Sequence, residues 1–117
     1  MIHVSESQIQ KATIEYLQVM ENLGQLIFLR NNSFAGKIMR GDSSIGYVNN
    51  AKKGSPDLFI FLKQGKTIHL ELKSHTGKLR ADQIIWREKA EKLGHIFRVA
   101  RSFEDVEEII KFYTKKQ

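Results

Sequence analysis

Apolar residues recur at three- and four-residue spacing along residues 5–23, which predicts an amphipathic helix near the start of the chain. Ser5 and Gln8 have the spacing of a capping box, and Gly24 can supply the left-handed residue at which such a helix ends. The expected apolar face consists of Ile9, Ala12, Tyr16, Leu17, Met20 and Leu23. This face should pack against the rest of the domain.

The same helical spacing returns twice in the C-terminal half of the chain. Residues 79–93 predict a second helix that ends at Gly94, and Ser102 with Asp105 is a typical cap for a third. The inward residues are expected to be Leu79, Gln83, Trp86, Ala90 and Leu93 in the second helix, and Val106, Ile109, Ile110 and Tyr113 in the third.

Short apolar or alternating runs between these helices predict strands. Residues 31–56 have no clear periodicity and read as a long connection or irregular hairpin. The predicted strands cover residues 25–30, 45–48, 57–62, 67–73 and 96–100. The expected order is αββββαβα, a single α/β domain that spans residues 1–117.

Composition excludes several classes of protein. The 117 residues contain no cysteine, which rules out disulfides, thiolate zinc sites and a cysteine nucleophile. No apolar run approaches the roughly 20 residues that a membrane span needs. The N-terminus lacks the basic and apolar regions of a signal peptide. We therefore expect a soluble intracellular protein that needs no membrane and no organic cofactor.

The charge distribution favours a polyanionic partner. The net charge is +6, and residues 30–56 carry five basic side chains against Asp42 alone. Residues 63–80 carry five more against Glu71 alone. Two basic segments between less basic ends are typical of a surface that contacts phosphate backbones.

The two clearest strands form a predicted hairpin that carries candidate chemistry. Because side chains alternate along a strand, Glu71 and Lys73 share a face, while Ile68, Leu70 and Leu72 take the other. Asp57 opens the partner strand directly after a proline. Two carboxylates and an ammonium could converge here, although a half-exposed hairpin would also carry Glu and Lys on its solvent face.

The order of these residues resembles a known family. Gly54-Ser55-Pro56-Asp57-Leu58 followed by Glu71-Leu72-Lys73 is similar to the PD-(D/E)XK nuclease motif. The segment SESQIQ at 5–10, Gly77 with Gln83, and the closing segment 94–106 narrow the resemblance to the VRR-NUC domain. The resemblance covers residues 5 to about 110 and is weakest across 33–52. It implies a restriction-endonuclease-like fold, with a mixed central sheet flanked by helices.

The resemblance also implies a role for each matched residue. Asp57, Glu71 and the backbone carbonyl of Leu72 would ligate Mg²⁺ or Mn²⁺, which prefer oxygen ligands. Lys73 would position or deprotonate the attacking water. Glu6 would approach the same metal directly or through water, although an acid in a first helical turn is also explained by the helix dipole.

Gln83 is an uncharged polar residue on an otherwise apolar helix face, and a buried amide needs hydrogen-bond partners. The resemblance implies that Gln83 contacts Lys73, the attacking water or a substrate phosphate; the alternative is a hydrogen bond to the end of a strand.

His69 shares the face of Glu71, but we interpret it as a structural bystander.

Candidate DNA contacts come from the basic segments and their flanks. Each lysine or arginine alone could be a solvated surface charge, and asparagines after a strand are usually turn residues. As a set, the candidates are Asn31, Asn32, Lys37, Arg40, Lys52, Lys53 and Lys78.

Together these features predict a Mg²⁺- or Mn²⁺-dependent, structure-selective DNA endonuclease. Standalone members of the family resemble Holliday-junction resolvases and act as homodimers, so we expect branched DNA as substrate and a homodimer in the cytoplasm of a bacterial cell or phage-infected host. The alternatives are a general nicking or end-processing nuclease, a non-catalytic DNA-binding module on the same fold, and a basic interaction domain.

Overall fold

The computed structural model describes residues 4–31, 35–39, 41–49 and 52–115. Within them the order of elements is αβββββαβα. The bounds are α1 Glu6–Asn22, β1 Ile27–Arg30, β2 Ala35–Met39, β3 Ile45–Asn49, β4 Leu58–Phe61, β5 Thr67–Leu72, α2 Ala81–Lys92, β6 Ile96–Ala100 and α3 Phe103–Thr114. No helix in this part of the chain is both long enough and apolar enough to cross a membrane.

The central sheet has four strands in the order β1-β4-β5-β6. The β1–β4 and β4–β5 pairs are antiparallel, whereas β5 and β6 are parallel, so the predicted mixed α/β architecture is confirmed. Leu58 lies opposite Leu70 in the β4–β5 hairpin. Continuing that register by one residue places Asp57 opposite Glu71, at the end of the sheet where β5 finishes.

The remaining two strands, β2 and β3, form a separate antiparallel pair. The sequence predicted only one strand in this region, so β2 is an addition to the expected order. Its sequence, AGKIM, combines alanine, glycine and lysine, which are poor strand formers, and it therefore gives no local strand signal.

One face of the sheet carries the apolar core. Side chains of β4 and β5 that share this face pack against α1 and α3, and Tyr16 of α1 meets Phe103 at the start of α3 edge to face. The fully or almost fully buried members of this core are Ile9, Leu17, Leu26, Leu58, Ile60, Leu62, Ile68, Leu70, Leu72, Ala100, Val106 and Ile110.

The other face of the sheet is covered by α2 only beside β5 and β6. Here Ala90 and Phe97 are buried, and hydrogen bonds from α2 reach polar side chains of β5. Beside β1 and β4 the same face leaves Ile27, Leu29 and Phe61 exposed. An exposed apolar group of this kind is a common mark of an interaction surface.

The helix faces differ from the expected ones at their ends. Leu23 and Leu93 were predicted to point inward but are 66% and 78% exposed. Each is the C-cap residue that precedes a glycine with positive φ, so the chain leaves the helical path there and the helical spacing no longer applies. In α1, Thr13 is fully buried, whereas Ala12 is only half-buried.

Candidate active site

A cleft of about 420 Å³ opens where β5 ends. The start of α1, the residue after β1, the loop before β4, the end of β5 and the first turn of α2 all contribute to it. Its lining residues are Glu6, Asn31, Lys52, Lys53, Gly54, Ser55, Pro56, Asp57, Glu71, Lys73, Arg80, Asp82 and Gln83. The five residues predicted from the sequence to be catalytic therefore lie around one cavity.

Asp57 is held at the mouth of the hairpin by main-chain contacts. Its Oδ2 accepts a hydrogen bond of 2.7 Å from the backbone N–H of Leu72. Its own carbonyl accepts a 2.9 Å bond from the N–H of Asn31. Pro56, directly before it, is fully buried. These contacts fix the carboxylate beside the end of β5.

Glu71 is a buried carboxylate, only 4% exposed. Its Oε1 accepts a 3.1 Å hydrogen bond from Nε2 of Gln83 and lies 3.9 Å from Nζ of Lys73. Its Oε2 is also buried and has no hydrogen-bond partner among the described residues. An ionised oxygen without a partner is costly to bury, so this atom needs a cation, a proton or a donor from a ligand.

The pKa of Glu71 is raised to about 8. Burial is the main cause, and the nearby carboxyl group of Asp57 adds to it. The ammonium of Lys73 opposes the shift but does not cancel it. Without a bound cation, burial and the neighbouring charge therefore favour the protonated form of Glu71.

Gln83 uses both ends of its amide. While Nε2 donates to Glu71, Oε1 accepts a 2.9 Å hydrogen bond from the backbone N–H of Arg80, at the start of α2. The side chain is 3% exposed. A residue bonded at both ends has one favoured orientation, and Gln83 thereby connects the first turn of α2 to the carboxylate of β5.

Lys73 and Glu6 approach the cleft from different directions. Lys73 follows β5, its N–H donates to the carbonyl of Ala100 at 3.0 Å, and the residue is 7% exposed. Glu6 lies in the first turn of α1 and is exposed, but its charge is close enough to contribute to the raised pKa of Glu71.

The loop before β4 packs tightly against α2. Gly54 is buried with φ +86°, and a Cβ there would lie 2.4 Å from the carbonyl oxygen of Asp82. Only glycine fits both the backbone conformation and the space. Lys52 and Lys53, just before it, are exposed and line the cleft.

The predicted DNA contacts have different positions in the structure. Lys52 and Lys53 border the cleft, while Lys78 is exposed but does not line it. Asn31 lines the cleft, yet its Nδ2 donates to Ser55 Oγ at 2.7 Å and to the carbonyl of Pro56 at 2.8 Å, so it braces the loop. Asn32 and Arg40 lie outside the described residues. Lys37 lies in β2, with its side chain outside the description.

The profile of the VRR-NUC domain matches residues 5–104 of this chain, a stretch that includes every residue around the cleft. The chain belongs to the VRR-NUC domain family. This domain is part of the PD-(D/E)XK nuclease superfamily.

A solved structure described as a VRR-NUC domain has the same fold. The TM-score is 0.65 at 21% sequence identity, and the alignment covers 94% of this chain and 99% of the other. A search among curated proteins found no match. The VRR-NUC fold is therefore shared over nearly the whole of both chains. The match to the family profile, and not this structural likeness, indicates a nuclease-type DNA-processing domain.

The VRR-NUC family implies a divalent metal, and the residues around the cleft fit a hard cation that binds oxygen ligands. The partnerless Oε2 of Glu71 and the proximity of Asp57 provide carboxylate oxygens for a hard cation. No group of three or more His, Asp or Glu side chains in the described ranges is arranged around a metal position. Two carboxylates completed by a carbonyl, water and phosphate oxygens suit Mg²⁺ or Mn²⁺ better than a cation that requires an all-protein shell.

The sequence reasoning did not single out Arg80 and Asp82, two polar residues that line the VRR-NUC cleft. Asp82, in the first turn of α2, has a buried Oδ2 with no hydrogen-bond partner among the described residues, and its Oδ1 lies 3.3 Å from Nε of Arg80. The available signal was the polar first turn of α2 directly before Gln83. An acid there is normally explained by the helix dipole, which hides it from a sequence reading.

His69, predicted to be a bystander, takes part in a partly buried chain of hydrogen bonds. Nε1 of Trp86 donates to Nδ1 of His69 at 2.9 Å, and Nε2 of His69 lies 2.7 Å from Nδ1 of His95. Burial, and then the nearby His95, lower the pKa of His69 to about 4. Linear spacing gave no sign of this pair, because it depends on the parallel pairing of β5 with β6.

Proposed function

We propose that this VRR-NUC chain is a Mg²⁺- or Mn²⁺-dependent endonuclease that hydrolyses phosphodiester bonds in DNA and prefers branched DNA, as a Holliday-junction resolvase does. The observation that carries the proposal is the convergence of Asp57, Glu71, Lys73 and Gln83 on one cleft, with a buried carboxylate oxygen left without a partner.

In this proposal Asp57, Glu71 and the carbonyl of Leu72 hold the metal. Their fixed positions support it, since Asp57 is bonded to the N–H of Leu72 and Glu71 to Gln83. The bound cation would polarise the scissile phosphate and lower the pKa of the attacking water. The role of Gln83 is then to hold Glu71 in its ligating orientation.

Lys73 is the group proposed to position or deprotonate the attacking water and to offset the charge that builds on the phosphate. Its ammonium lies 3.9 Å from Glu71, and both side chains are buried, so their electrostatic interaction is stronger than it would be in bulk water. Glu6 is proposed to complete the site from α1, directly or through a water molecule.

The substrate class follows from the charges around the cleft. Lys52 and Lys53 are exposed at its rim, and Arg80 also lines it. These positive charges suit a nucleic-acid phosphate backbone, and the preference for a branched substrate rests on the resemblance to Holliday-junction resolvases. We include Asn31, Asn32, Lys37, Arg40 and Lys78 in the proposed DNA surface on the basis of the sequence alone.

The proposed active form is a homodimer in the cytoplasm of a bacterial cell or a phage-infected host. One copy has one candidate site, so two cuts in one encounter require two copies. The exposed apolar residues Ile27, Leu29 and Phe61 on the uncovered sheet face support an interface between copies.

The test is cleavage of labelled four-way junction, duplex and single-stranded DNA in the presence of Mg²⁺, Mn²⁺ or EDTA. We expect cuts that need metal and are fastest on the junction. Equal rates on all substrates would replace the junction preference with general nicking or end processing. Salt-dependent binding without any cleavage would assign the chain to non-catalytic DNA binding.

A further inference from the structure

A second cavity of about 260 Å³ lies beside the active-site cleft, along α2. Its apolar wall is formed by Ile85, Trp86, Ala90 and Leu93. Two of these, Ile85 and Leu93, are large residues that are 52% and 78% exposed. The VRR-NUC site as proposed above makes no use of this cavity.

The two cavities are adjacent. Lys52, Lys53 and Asp82 line both of them, so a strand whose phosphate lies in the cleft has the second cavity directly beside it. Lys89 adds a further positive charge there. None of these three lysines forms an ion pair with another described residue, which leaves their charge available to phosphate.

The histidine pair gives the cavity a defined polar edge. Indole N–H groups only donate, so Nδ1 of His69 must accept from Trp86 and its proton must lie on Nε2. That proton is donated to Nδ1 of His95, so neutral His95 carries its own proton on Nε2. His95 is exposed and lines the cavity, and so supplies a hydrogen-bond donor beside an apolar wall.

We propose that this cavity binds the base of an unpaired nucleotide adjacent to the phosphate in the cleft. A base is flat and apolar on its faces, carries acceptor atoms at its edge and is joined to phosphates, which matches the aromatic and aliphatic wall, the His95 donor and the lysines. The volume of about 260 Å³ is below the roughly 300–1,000 Å³ of pockets for drug-sized ligands, which favours a small occupant such as a single base. The inference rests on the proposed function, and it names an unpaired base as the feature that is recognised.

Every natural base has both a flat face and an acceptor at its edge. We therefore expect the cavity to distinguish unpaired from paired DNA and to show little sequence preference. A base in a perfect duplex is stacked and paired, and reaching the cavity would require it to leave the helix.

The test uses Trp86, the single tryptophan of the chain, as a fluorescent probe. Intact protein is titrated in EDTA with a short single-stranded oligonucleotide, and in parallel with a strand of equal length whose nucleotides are all abasic. We expect quenching of Trp86 by the base-bearing strand only, with affinity at least fivefold higher than for the abasic strand. Equal affinity and equal fluorescence would reduce the lysines to phosphate contacts and overturn the proposal.

A matched pair of variants locates the binding. Leu93→Ala should weaken binding of the base-bearing strand roughly fivefold to tenfold and leave the abasic strand unaffected. Leu23→Ala is the control, because Leu23 is also an exposed C-cap residue before a left-handed glycine but lies on α1. If both variants bound the base-bearing strand with the same affinity, this cavity would be excluded as the base-binding site. Since no metal is present, the titration detects base binding even if no DNA is cut, so failure of the nuclease proposal is a separate result.

Discussion

The two faces of β5 are both buried but have opposite chemistry. Toward α1 and α3 the strand presents Ile68, Leu70 and Leu72, each at most 1% exposed. Toward α2 it presents His69 and Glu71, with Lys73 following, each at most 7% exposed. One face is closed by apolar packing, and the other by specific hydrogen bonds to Gln83 and Trp86.

The difference separates what stabilises this VRR-NUC fold from what the site requires. Apolar burial is favourable wherever it occurs, so the α1–α3 face needs no further explanation. A buried lysine beside two carboxyl groups contributes little to net stability, and the proposed role in catalysis would account for its arrangement. Substitutions on the two faces should therefore have different consequences.

The largest expected effect is on cleavage. Asp57→Ala and Glu71→Ala should each reduce the cleavage rate by at least about 10³-fold, because the proposed metal loses a ligand. The fold should survive, since neither change opens an apolar cavity. Single-turnover cleavage and circular dichroism measure the two quantities, with Glu108→Ala on the exposed side of α3 as control. A rate near wild type in either variant would contradict the site assignment.

At Leu70, one residue before Glu71, we expect a loss of stability instead of a specific loss of cleavage. Leu70→Ala removes a fully buried side chain from the α1–α3 face and should lower the free energy of unfolding by about 2–5 kcal/mol. Glu71→Gln keeps the volume and stays neutral beside Asp57 without needing a proton, so in metal-free buffer it should leave stability unchanged or raise it. Urea unfolding of both variants makes the comparison. Equal destabilisation would mean that the two faces do not divide the roles.

Lys73→Met separates chemistry from binding on the polar face. If the ammonium stabilises charge that develops only in the transition state, the single-turnover rate should fall about 10²–10³-fold, or roughly 3–4 kcal/mol, with DNA affinity almost unchanged. Weaker binding with an unchanged rate at saturation would instead make Lys73 an ordinary phosphate contact.

The smallest effect concerns pH. Because the folded chain raises the pKa of Glu71 from 4.5 to about 8, it holds a proton that the unfolded chain has released between those values. This contribution to stability is complete below about pH 4.5 and is lost as pH rises through about 8. Metal-free wild type should therefore lose stability relative to Glu71→Gln across this window, as thermal unfolding in EDTA at several pH values can measure. Parallel curves would contradict the shift.

Local signals predicted the elements that local interactions determine. Ser5 and Gln8 form the expected capping box, and Ser102 accepts the expected hydrogen bond from the N–H of Asp105. The Pro56-Asp57 and Glu71-Leu72-Lys73 segments lie where the hairpin reading placed them, at one end of the sheet.

Features that depend on tertiary pairing were not readable in the same way. From the sequence, the polar face of β5 could equally be the solvent-exposed face of a hairpin, but in the structure α2 buries it. Trp86 was expected in the core, yet it is only partly buried and lines the second cavity. The contact of His69 with His95 requires two strands to lie side by side that are separated by a whole helix in the sequence.

The antiparallel register sets Asp57 opposite Glu71. The site therefore depends on which face of β5 carries Glu71, and less on how many residues separate Asp57 and Glu71 in the sequence. The turn at Lys63–Gly65 lies outside the paired residues, so lengthening it adds only loop. One residue inserted in β5 between Thr67 and Glu71 would instead turn Glu71 toward the apolar core. A gap of variable length between the two halves of the motif is therefore compatible with one fixed geometry, provided that the added residues lie in the turn and leave the paired strands unchanged.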